Sequence, residues 1–96
     1  MREVVIVAGA RTPIGRFGGA FKGVDGADLG ATAISAAVGR AGIAPRSVDE
    51  VIMGNVIQAG NAGYVARTSA LRAGLPYSVP AMVVNRACAS GLEAVN

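Results

Sequence analysis

The sequence has no histidine and only one cysteine, Cys88, among its 96 residues. One thiol cannot form an internal disulfide, and without a cluster of histidines or cysteines neither a structural nor a catalytic metal site is expected. No apolar run approaches the roughly 20 residues that a membrane-spanning helix needs. We therefore expect a cytoplasmic protein that holds no metal and has no membrane partner.

Charge and aromatic side chains are also scarce. Charged residues make up 16% of the chain, the net charge is +3, and the only aromatic residues are two Phe and two Tyr. The cationic residues are scattered, so a nucleic-acid partner is not expected. Arg11, Arg16 and Lys22 flank a glycine-rich loop. They either meet an anionic ligand, such as a CoA phosphate, or are solvated loop charges.

Apolar residues are abundant for so small a chain. They account for 52% of the sequence, and the mean hydropathy is +0.48. A chain of this size buries only about 60 to 70% of the surface that its unfolded form exposes, so much of this apolar material must stay at the surface. We expect a piece of a larger protein or an obligate partner of another surface, ending at Asn96 shortly after a helix begins.

The apolar pattern predicts three strands that alternate with three helices. Such alternation is typical of parallel strands joined by right-handed crossovers, and we predict an α/β layered fold with a mostly parallel sheet in the order β-α-β-α-β-α. Gly54 is interpreted as a point of close packing, and Asn61 as a cap for the second helix. The predicted strands are Glu3–Ala8, Val51–Ile57 and Ala81–Val84, and the predicted helices are Asp28–Ala41, Tyr64–Ala73 and one from Ser90 onward. The first helix is predicted to have an acidic start at Asp25 or Asp28, one apolar face that includes Leu29 and Ala33, and Gly42 after its end, and Gly74 is predicted to stop the second helix.

A glycine-rich loop follows the first predicted strand. Its glycines at positions 9, 15, 18 and 19 lack the spacing of a dinucleotide-binding turn, and no Gly-Lys-Ser/Thr phosphate cradle is present. We interpret these glycines as turn formers and predict no nucleotide site.

Cys88 falls at the junction of the last strand and the last helix. Ser90 and Glu93 fit a capping box, which places the cysteine on a tight turn ahead of a helix. Backbone N–H groups there favour a thiolate and can serve a developing oxyanion, as a nucleophile for acyl transfer requires. The alternative is that Cys88 is a small buried apolar side chain, as lone cysteines often are.

The segment Asn85-Arg-Ala-Cys88-Ala-Ser-Gly-Leu-Glu-Ala-Val95 resembles the active-site segment of thiolases, the acetyl-CoA C-acetyltransferases and 3-ketoacyl-CoA thiolases. The likeness extends over nearly the whole chain in family order, through stretches such as Val4–Gly19, Val51–Gly60 and Ala73–Pro76. It implies that residues 1–96 are an incomplete N-terminal portion of a thiolase N-terminal domain. Ala89 stands where the family usually has glycine.

The resemblance implies a function for Cys88. The cysteine would take the acyl group from an acyl-CoA, and the acyl-enzyme would then undergo Claisen condensation with a second acyl-CoA, or the reaction would run backwards as thiolysis. The CoA thioester would be substrate, no residue would bind a cofactor, and the full-length protein would be a dimer or tetramer of identical chains. The family also uses a histidine and a second cysteine that this chain lacks, so we expect it to be inactive alone.

Two alternative hypotheses remain. In the first, the chain is a non-catalytic truncated module that associates with itself or with a complementary chain. In the second, it is related to ketosynthases, which also have a cysteine before a helix. The run from Asn85 to Ala94 favours a thiolase over a ketosynthase, in which a more serine-rich motif is expected.

Overall fold

The computed structural model describes residues 2–96, except for the side chains of residues 61 and 62. Three α-helices and two β-strands alternate along the chain, with short 3-10 helices at Pro45–Ser47 and Gly60–Tyr64. Among these residues, no helix combines the length and the apolar character that crossing a bilayer requires. In chain order the main elements are α1 (Gly26–Ala41), β1 (Val51–Gly54), α2 (Val65–Arg72), β2 (Ala81–Val84) and α3 (Ser90–Val95).

The two strands form a parallel sheet. Val51 lies opposite Ala81, and the register continues to the pair of Gly54 and Val84. The chain passes from β1 to β2 through α2, which packs on both strands. This arrangement confirms the predicted α/β fold with parallel pairing, and β2 has the predicted bounds.

The predicted strand Glu3–Ala8 is wrong for the chain as it stands. Residues 2–16 have no regular secondary structure, and Val4 and Ile6 are 91% and 82% exposed. A β-branched run supplies the side-chain preference of a strand, but a strand forms only where a neighbour accepts its hydrogen bonds. The second strand also ends earlier than predicted, at Gly54 instead of Ile57.

Helix α1 begins two residues before the predicted start, at Gly26 instead of Asp28, and ends at Ala41 as predicted. The Asp25 carboxylate accepts a hydrogen bond from the Asp28 N–H at 2.8 Å, and Gly42 closes the helix with a φ of 70°. The predicted face, which includes Leu29 and Ala33, is only half-buried. The buried stripe lies at Ala27, Gly30 and Ala31, because α2 packs against that side.

Small residues bring α1 and α2 close together. The Ser69 side chain is fully buried, and its hydroxyl donates to the Ala27 carbonyl at 3.0 Å. A side chain at Gly30 would overlap the Ser69 hydroxyl, so this position requires glycine for the helices to approach. The core beside this contact is small and consists of Val51, Ala66, Ala70, Leu75 and Val79.

Helix α2 lies within the predicted range Tyr64–Ala73 and is one residue shorter at each end. Gly74 has a φ of 87°, a conformation that glycine adopts without steric cost. The Arg67 guanidinium donates to the carbonyls of Val79 and Tyr77 at 2.7 and 3.0 Å, which ties α2 to the chain entering β2. The predicted cap, Asn61, lies outside the residues whose side chains the structure describes.

Candidate active site

Cys88 lies where β2 gives way to α3. The strand ends at Val84, the helix begins at Ser90, and the cysteine is exposed on the turn between them. The prediction of a strand-to-helix junction is therefore confirmed, and the alternative of a buried apolar cysteine is wrong for this chain. Ligands of parallel α/β sheets commonly bind at the carboxyl ends of strands, which is the position of this turn.

The turn that carries Cys88 has an unusual backbone. Ala87 has a φ of 47°, in the left-handed region that residues other than glycine seldom occupy. Asn85 supports this geometry, since its side-chain oxygen accepts a hydrogen bond from the Ala87 N–H at 3.1 Å. The amide nitrogen of Asn85 donates to the Val56 carbonyl at 3.3 Å and so links the turn to the segment after β1.

Ser90 does not form the predicted capping box. Its hydroxyl points back into the turn, where it accepts from the Arg86 N–H at 2.7 Å and donates to the Ala87 carbonyl at 2.6 Å. The Glu93 carboxylate binds the Arg86 guanidinium at 2.8 Å instead of a backbone N–H. The helix starts at the predicted residue, but Ser90 is its first residue and not its cap, so the hydroxyl can reach the preceding turn.

The backbone N–H groups after Cys88 are already engaged. The Ala89 N–H donates to the Arg86 carbonyl and the Ser90 N–H to the Ala87 carbonyl, both at 3.1 Å. These two N–H groups therefore serve the turn itself, and an oxyanion donor beside the sulfur stays a prediction. Stabilisation of a Cys88 thiolate by the helix start stays a prediction.

The end of strand β1 packs against the first residues of α3. A Cβ atom placed on Gly54 would lie 2.5 Å from the carbonyl carbon and oxygen of Ser90 and 2.7 Å from the Gly91 nitrogen. Only a residue without a side chain permits this approach of two backbones. The interpretation of Gly54 as a point of close packing is thus confirmed, and the segment it contacts is the one that follows Cys88.

Comparison with known proteins decides the kinship. The family model described as "Thiolase, N-terminal domain" matches residues 4–96. The chain belongs to the thiolase family. It is 52% identical over 95 residues to the "Acetyl-CoA acetyltransferase" of Cupriavidus necator and to the "Probable acetyl-CoA acyltransferase" of Staphylococcus aureus strain NCTC 8325. The protein of the same name in Staphylococcus aureus strain MRSA252 is 50% identical.

These matches cover 99% of the thiolase-family chain but 24% of each relative. The chain thus spans about a quarter of the length of these relatives. Kinship to thiolases is shown by the matches, whereas the role of Cys88 rests on its motif and its position in the fold.

The cationic side chains of the glycine-rich loop were considered as a possible anion site. Arg11, Arg16 and Lys22 are exposed on the loop before α1, in keeping with solvated charges. Within residues 2–96, no group of three or more His, Cys, Asp or Glu side chains is placed to hold a metal ion. The sequence did not predict that the Asn85 side chain bonds to the Ala87 N–H, or that the Ser90 hydroxyl bonds to the turn before the helix, although both residues lie in the thiolase-like segment.

Proposed function

We propose that this chain supplies the acyl-accepting nucleophile, Cys88, of a thiolase-type acyltransferase that acts on acyl-CoA. The observation that carries the proposal is the exposed thiol on a tight turn at the carboxyl end of β2, within a chain of the thiolase family. The relatives' printed names, acetyl-CoA acetyltransferase and acetyl-CoA acyltransferase, support an acyl-CoA substrate.

The first step is an exchange of thioesters. The Cys88 sulfur attacks the carbonyl carbon of the acyl-CoA, a new carbon–sulfur bond forms, and the bond to the CoA sulfur breaks. The proton of the Cys88 thiol is taken up by the departing CoA thiolate. One thioester replaces another, so the step has little net free-energy cost and suits a covalent intermediate.

The second step consumes the acyl group on Cys88. In synthesis, the carbanion of a second acyl-CoA attacks the enzyme-bound carbonyl, a carbon–carbon bond forms, and the Cys88 sulfur leaves. In thiolysis the same bonds change in the opposite order. Proton transfer at the substrate carbon needs an acid–base group, and no histidine or second cysteine is present in these 96 residues. We therefore propose that acyl transfer requires further protein, and that the chain alone does not turn over.

Several large apolar side chains would be covered in that complete enzyme. Val4 and Ile6 are 91% and 82% exposed, and Leu92 and Val95, on α3, are 67% and 66% exposed. Burying such side chains stabilises each by about 1.5 to 3 kcal/mol, so their exposure favours a larger assembly. We propose a cytoplasmic enzyme composed of identical subunits, in which residues 1–96 form part of the N-terminal domain.

A hybrid enzyme tests the role of Cys88. This chain replaces the matching 95 residues of the Cupriavidus necator acetyl-CoA acetyltransferase, and release of CoA from acetyl-CoA is measured. The hybrid should be active, the Cys88→Ala variant should lose activity by at least about 1,000-fold, and intact mass should show one acetyl group on Cys88 before the second substrate is added. An active Cys88→Ala hybrid would refute the proposal.

The second candidate is a non-catalytic module that associates through its exposed apolar segment at residues 4–7. Sedimentation of the chain and activity of the hybrid together distinguish the two. A defined dimer of the chain, combined with a hybrid that does not transfer acetyl groups, favours the module. A chain whose Cys88 stays open to alkylation and whose hybrid transfers acetyl groups favours the enzyme.

A further inference from the structure

Ser90 combines burial with two hydrogen bonds to the turn that carries Cys88. The residue is 4% exposed, and its hydroxyl contacts the main chain on both sides of Ala87, at the Arg86 N–H and the Ala87 carbonyl. One hydroxyl thus spans the left-handed residue directly before the cysteine. Because α3 begins at Ser90, the same residue also connects the turn to the helix.

The backbone of Ser90 is fixed as well as its side chain. Its carbonyl group lies against Gly54 so closely that the strand has no room for a side chain there. The main chain of Ser90 therefore packs against β1, and its hydroxyl is hydrogen-bonded to the turn that carries Cys88. A shift of either contact would move the sulfur relative to the sheet.

We propose that Ser90 is a positioning residue whose hydroxyl holds the Cys88 turn in the geometry that acyl transfer needs. The inference rests on the proposed role of Cys88 and assigns Ser90 no contact with substrate. Without the hydroxyl, the Arg86 N–H and the Ala87 carbonyl lose a shared partner. The Asn85 side chain still accepts from the Ala87 N–H, and the Ser90 N–H still donates to the Ala87 carbonyl. The turn is therefore weakened but not released, and Ala87 relaxes toward the right-handed region that alanine prefers and shifts Cys88 with it.

Ser69 provides a matched control. It is also a buried serine, at 0% exposure, and its hydroxyl also donates to a main-chain carbonyl, that of Ala27 at 3.0 Å. That bond joins α1 to α2, so replacing Ser69 changes a buried hydrogen bond without changing the Cys88 turn. A purely structural role of Ser90 would make the two Ser→Ala variants behave alike.

The first measurement uses the chain itself. Hydrogen exchange of the Arg86 amide and the rate of Cys88 alkylation by iodoacetamide are compared in the parent, Ser90→Ala and Ser69→Ala, all well below their melting temperatures. In Ser90→Ala, the Arg86 amide should lose protection and the alkylation rate of Cys88 should differ from the parent rate by more than about twofold. Ser69→Ala should retain both parent values. Unchanged values in Ser90→Ala overturn the proposal.

The second measurement uses the hybrid with the Cupriavidus necator relative. A displacement of about 1 Å at a reacting group costs about 100-fold in rate, so kcat of Ser90→Ala should fall by about that factor while KM for acetyl-CoA changes little. Ser69→Ala should keep the parent kcat. If Cys88→Ala abolishes activity and Ser90→Ala does not, only the role of Ser90 is wrong. If Cys88→Ala remains active, the proposed function itself is wrong.

Discussion

Replacing Gly54 with alanine tests the contact on which the Cys88 turn rests. The added Cβ would lie 2.5 Å from two backbone atoms of Ser90 and 2.7 Å from the Gly91 nitrogen. Ordinary carbon contacts begin at about 3.5 Å, so the strand and the start of α3 must separate by about 1 Å. The atoms in the way are main-chain atoms, and no change of side-chain rotamer relieves the overlap.

The expected loss of stability follows from this overlap. Inserting a methyl group into a packed contact typically costs 1 to 3 kcal/mol, and we expect about 2 kcal/mol for Gly54→Ala. In a domain of this size each kcal/mol lowers the melting temperature by about 4 to 8 °C, which gives a decrease of about 8 to 16 °C. In the hybrid enzyme the same 1 Å shift should also lower kcat by about 100-fold.

Gly39→Ala is the matched control for this substitution. A Cβ on Gly39 meets nothing within 4 Å, and the residue lies inside α1, where alanine is favoured over glycine by about 0.5 to 1 kcal/mol. Thermal melting followed by circular dichroism should therefore show Gly39→Ala above the parent and Gly54→Ala below it. A Gly54→Ala chain that melts at or above the parent temperature would refute the argument from close packing.

Two further predictions concern charged side chains away from Cys88. Arg67→Lys should lower the free energy of unfolding in urea by about 1 kcal/mol, because one ammonium group cannot reproduce both hydrogen bonds to the carbonyls of Val79 and Tyr77. The exposed Arg46→Lys is the control. Equal urea midpoints for the two variants would contradict the prediction. The Arg72 guanidinium, with the Asp28 N–H, lowers the pKa of Asp25 from its ordinary value of 3.8. The stability that the ionised Asp25 contributes is complete above its unfolded-state pKa and is lost as the pH falls through its lower folded-state pKa. Asp25→Asn should therefore reduce the decrease in melting temperature that acid causes below about pH 4. An unchanged decrease would count against the ion pair with Arg72.

Local signals in the sequence predicted much of the fold. Asp25 and Gly42 mark the ends of α1 because caps act within one turn of the chain, and the bounds of β2 follow from a short apolar run behind Pro80. The strand at residues 3–8 was predicted by the same kind of reasoning and does not form. Its β-branched residues are a local property, whereas pairing depends on a neighbouring strand that local sequence does not specify.

The candidate site shows the same division between local and distant causes. The motif placed Cys88 on a turn before a helix, and the structure confirms that position. The capping box failed because Ser90 lies one residue inside α3, where its hydroxyl faces back toward Arg86 and Ala87. The direction of the Ser90 hydroxyl depends on the left-handed φ of Ala87. Alanines on either side of a cysteine do not predict such a φ.

The position of Gly54 connects these two observations. Its own strand gives no sign that it matters to the site, and one side of the residue is exposed. Yet it is the residue that lets the Ser90 backbone approach β1, and Ser90 in turn bonds to both sides of the residue before Cys88. The geometry of the turn therefore depends in part on a residue more than thirty positions earlier, which lies on β1 next to β2. For that reason Gly54→Ala and Ser90→Ala should alter Cys88 in the same way, whereas Ser69→Ala should not.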